Sequence, residues 1–312
     1  MQKFFKNLWR KICPRQKQKF TATDVLFVVI GIVLLAYSLL LLWLMIWSVS
    51  TSFKDYYDDF LLGNVAGFPA KWTGSNYELV FKYFYYDVTA ALEEYRVGAL
   101  GLIGYTLLYT VGCSFVATFV PCITAYVVAR FGKKYRILNI YTSVVLVCMI
   151  LPIVGNYPSE LSIVRALGMY DSIWGIWILK ANFLTMFYMV FLGTFGAMPD
   201  GYAEAAKIDG AGNFSVCFKI YMPLARNLFA TVVLIQWITF WNDYQTPLLY
   251  LESYPTLAYW IYMLVYNPPA NETNYPPVMA AGAMFLMLPI LIIFLFFNKR
   301  LMGNLSMGGL KE

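Results

Sequence analysis

Two polar residues, Lys180 and Asn182, interrupt the apolar run Ser172–Pro199, which is long enough to cross a membrane. A charge at mid-bilayer costs about 3 kcal/mol on insertion scales, so a lysine there faces a polar interior or extends its ammonium to the interface. Because Lys180 lies near one end of the run, extension to the interface is one sufficient explanation. The other is a pore-lining pair that binds a passing polar solute through its ammonium and amide groups.

A second polar group lies toward the end of the run Asn227–Tyr250 and consists of Trp241, Asn242, Asp243 and Tyr244. Aromatic faces combined with amide and carboxylate groups are what the rings and hydroxyl groups of sugars require. Tryptophan and tyrosine also occupy the membrane interface without any ligand. These four residues are therefore candidates for a solute pathway, with an interfacial role as the alternative.

The chain lacks the residues on which most catalytic centres depend. It contains no histidine, which removes His-ligated metal sites, Ser-His-Asp hydrolysis and the commonest general base. The stretch RFGKKYR at 130–136 has a Gly-Lys pair without the upstream glycine and the Ser/Thr of a phosphate-binding loop. We therefore predict a non-catalytic chain that binds neither a cofactor nor a metal, so that whatever drives it would be supplied by another protein.

A short polar segment, 199–223, separates two of the apolar runs and reads PDGYAEAAKIDGAGNFSVCFKIYMP. Asp200 is a candidate N-cap for a first short helix, and Gly210 with Gly212 can end it by taking a positive φ. Asn213 is a candidate N-cap for a second helix. The apolar face predicted for that helix consists of Phe214, Cys217, Phe218, Tyr221 and Met222.

Helices this short are marginal in water because helix nucleation is costly, so other contacts must hold them. We expect the second helix to pack under the bundle and to end at Pro223. That arrangement leaves the small side chains of the first helix, Ala205 and Ala206, free for close approach by another protein. The alternative is an ordinary connector that lies on lipid headgroups.

The composition indicates an integral membrane protein. Of its 312 residues 60% are hydrophobic and 13% are charged, with a mean hydropathy of +0.61. Helices of about 20 residues cross the roughly 30 Å of bilayer hydrocarbon. The runs of about this length predict an all-α integral membrane fold with six transmembrane helices, at about 25–48, 99–129, 137–156, 173–197, 226–249 and 277–298.

The basic residues predict the orientation of this transmembrane domain, 25–298. Seventeen of the 23 lysines and arginines lie on one side of the six spans, within the segments 1–24, 130–136, 200–226 and 299–312. Because basic residues are retained in the cytoplasm, the basic tail 1–24 and the C-terminal tail 299–312 are both predicted to be cytoplasmic. This topology also explains the net charge of +6, so membrane lipid is an expected partner and nucleic acid is not.

Two motifs resemble those of a known family. Glu204-Ala205-Ala206, three residues, Gly210, nine residues, Ile220, one residue and Met222-Pro223 is similar to the EAA---G---------I-LP loop of the membrane subunits of binding-protein-dependent ABC importers. Met222 replaces the usual leucine, and the form EAAKIDGA is typical of the carbohydrate branch. FWNDYQTPLLYL at 240–251 resembles the W-N-D-[FY]-x-x-P-L segment of the shorter maltose-transporter-type permease. The region 53–96 is least like the family.

The resemblance implies a type I ABC importer permease fold with a cytoplasmic coupling helix, located in a bacterial cytoplasmic membrane. It implies four partners: a homologous permease subunit, two ABC ATPase subunits that use ATP and Mg, and an extracytoplasmic solute-binding protein. The solute would be a carbohydrate, with an oligosaccharide favoured. The residues implied in ATPase coupling are Glu204, Ala205, Ala206, Lys207, Asp209, Gly210, Ala211 and Pro223.

Three other functions compete with this one. An ABC importer permease for a non-sugar solute would share every motif above. A stand-alone secondary transporter would need ion-coupling carboxylates at mid-membrane, where the spans offer only Lys180 and Asp243, both near one end. An intramembrane enzyme is disfavoured because the chain has no histidine and no paired carboxylates at depth.

Overall fold

The computed structural model describes residues 22–90, 93–151, 155–182 and 184–305. Most of the two predicted tails, 1–24 and 299–312, lies outside the described residues. The described part of the chain is mainly helical. The helices in chain order are α1 Ala22–Thr51, α2 Ser75–Lys82, α3 Ala99–Phe131, α4 Ile137–Ile150, α5 Tyr157–Ala166, α6 Ile173–Leu179, α7 Met186–Ala197, α8 Gly201–Ile208, α9 Asn213–Val216, α10 Met222–Trp241, α11 Gln245–Tyr250, α12 Leu257–Tyr266 and α13 Pro276–Leu305.

Four helices in the described part of the chain are long and apolar enough to cross a membrane. They span Val25–Thr51, Ala99–Phe131, Asn213–Trp241 and Pro276–Phe297. They correspond to the predicted spans 25–48, 99–129, 226–249 and 277–298. The two remaining predicted spans contain only shorter helices, α4 in the first and α6 with α7 in the second.

The prediction of continuous helices over 137–156 and 173–197 is wrong. The first ends at Ile150, and Leu151 has an extended ψ of 118°, because a residue that precedes a proline in the sequence disfavours the helical conformation. The second is interrupted between Leu179 and Met186, where Thr185 is extended. Within that gap the Asn182 side chain accepts a 2.8 Å hydrogen bond from the Leu184 N–H, which a continuous helix would have used internally.

The predicted span 226–249 is likewise interrupted, between the end of α10 at Trp241 and the start of α11 at Gln245. The Asn242 amide donates to the Ile238 carbonyl at 2.8 Å, and Asp243 Oδ1 accepts from the Thr246 N–H at 3.0 Å. Asparagine and aspartate compete in this way with the helical backbone bonds, which explains why the helix stops here.

By internal contacts the described chain divides into two compact units, one formed by residues up to 80 with 275–281 and one by 81–274 with 282–305. In the second unit α3 is central and packs along both α7 and α10. Its buried side chains include Cys122 and Tyr126, which join Phe195 of α7 and Val232 of α10 in one apolar core. The elements that carry the polar residues are therefore all held by one long helix.

The segments between the predicted spans contain a β-hairpin as well as helices, so the all-α description needs a correction. Strands β1 Tyr85–Ala90 and β2 Glu93–Gly98 pair in antiparallel register from Tyr85 opposite Gly98 to Ala90 opposite Glu93. In the loop 251–272, α12 buries Trp260 to 2% exposure. Alternating residues in a short hairpin give too weak a signal beside membrane-length runs to be seen in the sequence.

A close approach between α3 and α6 predicts one sharp stability effect. Gly112 is buried under the Trp177 indole, so that any Cβ at this position would overlap the ring. We expect Gly112→Leu to displace Trp177 and α6, with an overpacking cost of about 1–3 kcal/mol and a lower melting temperature of the purified protein. The control is Gly104→Leu on the same helix, where nothing lies within 4 Å of a Cβ. Equal melting temperatures of the two variants would contradict this packing.

Candidate functional site

A cavity of about 580 Å³ lies where the two interrupted helices meet. Both interruptions contribute to its wall, together with the first turn of α5 and the adjoining face of α10. Its polar lining combines amide, hydroxyl, carboxylate and ammonium groups, carried by Asn156, Tyr157, Glu160, Lys180, Asn182, Thr185, Gln236, Thr239, Asn242, Asp243, Tyr244, Gln245, Thr246 and Tyr250.

Five of the six residues predicted for a solute pathway line this cavity. The Lys180 ammonium lies 6.0 Å from the centre of the Phe240 ring. The Tyr244 ring stacks on Tyr262 with 4.6 Å between centres and 11° between planes. An ammonium group and a tyrosine hydroxyl in the lining of a cavity can both form hydrogen bonds with a hydroxyl-rich solute.

The Asp243 carboxylate has a structural role that the sequence did not indicate. One carboxylate oxygen accepts from the Tyr109 hydroxyl at 2.7 Å and from the Thr246 hydroxyl at 2.6 Å, while the other accepts the Thr246 backbone N–H. Tyr109 is completely buried on α3. Asp243 therefore fixes the interrupted helix to α3, and only its remaining hydrogen-bonding capacity faces the cavity.

Trp241 was the one predicted pathway residue that does not line the cavity. It is 4% exposed, its indole N–H donates to the Leu286 carbonyl at 3.2 Å, and its ring stacks on Trp237. Its role in this structure is to pack α10 against α13.

Polar residues on α10 and α5 were missed by the sequence reasoning. Gln236 and Thr239 lie three residues apart on α10, which places them on one helix face toward the cavity, and Asp243 follows four residues later, just beyond the helix end. That polar stripe within a membrane-length run was a detectable signal. Glu160 gave no comparable signal, because the break between α4 and α5 that brings it to the cavity is not visible as a periodicity.

The loop 199–223 contains the expected pair of short helices, α8 and α9, with a positive φ of 83° at Gly210. Gly212 has a φ of −70° and is itself the N-cap of α9, so the assignment of Asn213 as the cap is off by one residue. Asp200 precedes α8 but makes no capping hydrogen bond from its side chain. Its carboxylate instead forms an ion pair with Arg130 at the end of α3.

Arg130 is the residue that anchors this loop. Its side chain is 9% exposed, and its guanidinium donates to the carbonyl oxygens of Phe195 and Met198 at 2.7 and 2.9 Å, in addition to the Asp200 carboxylate. Its central carbon lies 4.1 Å from the centre of the Tyr221 ring. One side chain of α3 thus holds the end of α7, the start of α8 and the turn before α10, which is possible because guanidinium is a planar fork with five donors.

The two alanines of α8 face different ways. Ala205 is exposed, whereas Ala206 is half-buried and packs against the chain's own core, as Ala203 and Ala211 do. The expectation that both alanines are open to a second protein is therefore wrong for Ala206. The other predicted coupling residues on the exposed side are Glu204, Lys207, Asp209, Gly210 and Pro223.

Three of the five residues of the apolar face predicted for the second short helix pack in the core, since Cys217 and Tyr221 are buried and Met222 packs against them. The other two residues do not. Phe214 is 77% and Phe218 is 38% exposed, whereas Val216 is 2% exposed. The cause is a π-helical turn at Cys217–Tyr221, which joins α9 to α10 and changes the side-chain directions relative to a regular helix. Pro223 lies in the first turn of α10, where the missing N–H is tolerated, and does not end the helix.

The Arg130 contacts predict a stability effect with a matched control. We expect Arg130→Lys to lower the melting temperature of the purified protein, because an ammonium cannot reproduce the fork and an unpaired buried carbonyl costs about 1–3 kcal/mol. Lys133→Gln is the control, since Lys133 is 89% exposed and 3.7 Å from Asp200. A melting temperature that Arg130→Lys leaves unchanged would show that the anchor is dispensable.

Comparison with known proteins adds a family to this geometry. Residues 117–302 match the family described as binding-protein-dependent transport system inner membrane component. This range contains Arg130, the loop 199–223 and both helix interruptions that line the cavity.

Relatives and a solved structure agree with the match. The chain is 29% identical over 198 residues to the arabinooligosaccharides transport system permease protein AraQ of Bacillus subtilis, covering 62% of this chain and 67% of AraQ. It is 27% identical over 244 residues to the multiple sugar-binding transport system permease protein MsmG of Streptococcus mutans, covering 75% and 86%.

The fold resembles that of a chain in the crystal structure of a bacterial ABC transporter involved in the import of the acidic polysaccharide alginate. The TM-score is 0.67 at 22% identity, over 91% of this chain and 99% of that one. Together with the cavity and the Arg130-anchored loop, these similarities show that the chain belongs to the inner membrane components of binding-protein-dependent transport systems, in their carbohydrate branch.

Proposed function

We propose that this chain forms half of the translocation pathway of an ATP-driven importer whose solute is an oligosaccharide. It pairs with a homologous permease subunit, and two ATPase subunits that use ATP and Mg supply the energy. An extracytoplasmic binding protein delivers the solute. Support for the solute class comes from the relatives, whose names refer to arabinooligosaccharides and multiple sugars.

We infer six membrane crossings with both termini in the cytoplasm. The four long helices supply four crossings, and α4 and the pair α6–α7 supply the others at the cost of interrupted backbone bonding. Interrupted helices are tolerated at membrane depth where they line a cavity, because polar groups there replace the lost partners. The excess of basic residues on the side of the loop 199–223 supports this orientation.

The cavity is our proposed passage for the solute. Its polar groups are spread over three helices, α5, α10 and α11, and the two interruptions rather than gathered at one point, which suits a solute with many hydroxyl groups that must bind and leave. The partner permease would supply the opposing wall.

The observation that carries the proposal is the exposed helix α8 fixed by Arg130 to the ends of α3 and α7. A short helix held in this way transmits displacement to the bundle, whereas a flexible connector would absorb it. Its outward side presents Tyr202, Ala205 and Ile208, which are all exposed. ATP binding would close the ATPase dimer and favour one of two bundle conformations through this contact.

Ala205 provides the direct test of coupling. We expect Ala205→Arg to weaken ATPase binding by about tenfold or more, because a bulky side chain prevents close approach of the two surfaces. Solute uptake and co-purification of the ATPase should both fall while the amount of inserted permease stays the same. Ala166→Arg is the control, since Ala166 is an exposed alanine at the end of α5. Normal uptake and ATPase recovery with Ala205→Arg would refute the coupling role of α8.

Lys180 tests the pathway. If its ammonium binds the solute, Lys180→Gln should raise the KM of uptake by the reconstituted transporter, because a charge-assisted hydrogen bond is lost. Lys82→Gln removes an exposed charge outside the cavity and should leave the KM unchanged. If instead Lys180 merely extends to the interface, both variants will have the wild-type KM.

Asp243 argues against a stand-alone secondary transporter. An ion-coupling carboxylate must exchange its ligands during transport, but Asp243 already accepts three hydrogen bonds from Tyr109 and Thr246. Solute transport by vesicles that contain only this chain would contradict this reasoning and the dependence on ATPase subunits.

A further inference from the structure

The residues between α1 and α2 form a small module, 52–74, with a polar interior. Lys54 is completely buried, and its ammonium donates to the carbonyl oxygens of Asn64 and Val65 at 2.7 and 2.8 Å. Burial lowers the pKa of Lys54, and the negative charge of Asp59 opposes that effect.

Asp59 is buried in the same interior, with 1% of its surface exposed. Its Oδ1 accepts from the Ala70 N–H at 3.0 Å and from the Asn64 amide at 2.8 Å. These two hydrogen bonds hold the pKa of Asp59 below its usual range in spite of burial. The module is therefore organised around a buried ammonium and a buried carboxylate.

Part of the outside of the module is apolar. The side chains that project from it are 41% to 79% exposed and form what we call the apolar patch, Leu61, Leu62, Val65 and Phe68. A loop that faces water places charges outside and apolar groups inside, because charged side chains are rarely buried and large apolar patches are rarely exposed. At the apolar patch this module has the reverse arrangement, which is the one expected when that surface meets lipid, while its exposed charges, Asp58 and Lys71, lie outside the patch.

Two contacts with α1 set the depth of the patch. The Trp47 indole donates to the Val65 carbonyl at 2.8 Å, and the Trp43 and Phe68 rings meet edge to face with centres 6.0 Å apart. Helix α1 is about 45 Å long against roughly 30 Å of hydrocarbon, so a span that begins after Asp24 leaves the hydrocarbon near Trp43. Tryptophans favour this depth, and the patch lies beside them.

We propose that the module is a membrane-interface anchor whose apolar patch inserts among phospholipid acyl chains in the leaflet at the C-terminal end of α1. Lipid is favoured over a protein partner because the patch contacts Trp43 and Trp47 at the end of a membrane-length apolar helix, where tryptophans mark the interface. Insertion fixes the rotation and depth of α1 in the bilayer. This role is independent of the solute and of ATPase coupling.

The test is the accessibility of a nitroxide spin label at Leu62→Cys, in the protein purified with its associated subunits and placed in nanodiscs of phosphatidylethanolamine and phosphatidylglycerol. We expect oxygen, which concentrates in lipid, to relax this label several-fold more strongly than a water-soluble nickel complex. Lys71→Cys is the matched control, since Lys71 is exposed on the same module and should show the opposite preference. Wild-type protein treated identically gives the background from native cysteines.

Two results would overturn the proposal. Stronger relaxation by nickel at Leu62→Cys would show that the patch faces water. An immobile label shielded from both reagents would show that a protein covers it. Leu62 is 79% exposed, so its replacement removes little packing. The neighbouring variant Leu61→Cys gives a second measurement of the same surface.

Discussion

The arrangement of the second unit depends on one buried cation at the end of its central helix. Arg130 replaces water for two carbonyl oxygens at the end of α7 and neutralises the carboxylate that precedes α8. A helix end has carbonyl groups without partners in the helix, and a guanidinium can satisfy two of them while it also forms an ion pair. These contacts hold the loop 199–223, which carries the family motif, against the ends of α3 and α7.

A related constraint governs the cavity. Where a membrane helix is interrupted, the freed backbone groups need partners before any side chain can serve a solute. The side chains of Asn182 and Asp243 each accept a hydrogen bond from a backbone N–H, and the Asn242 amide donates one to a backbone carbonyl. The polar character of this region thus has a structural origin, and a solute that bound in the cavity would use the capacity that remains.

Much of the fold and part of the site could be predicted from the sequence, for identifiable reasons. Membrane-length apolar runs and the positive φ of Gly210 follow from local composition and glycine chemistry. The shifted exposure of Phe214 and Phe218 could not be foreseen, because a π-helical turn changes the register without a composition of its own. The partner of Arg130 lies 70 residues away at Asp200, so no spacing rule could connect them.

The same π-helical turn has a mechanical consequence. From Asn213 to Trp241 the chain runs as one helix, so the loop end and the cavity face at Gln236 belong to a single rod about 40 Å long. Beyond Tyr221, a tilt of this helix reaches the cavity face without passing through a second bend or a relay of side chains. The widened turn at Cys217–Tyr221 is the place where such a rod can bend, which makes it the pivot of a lever.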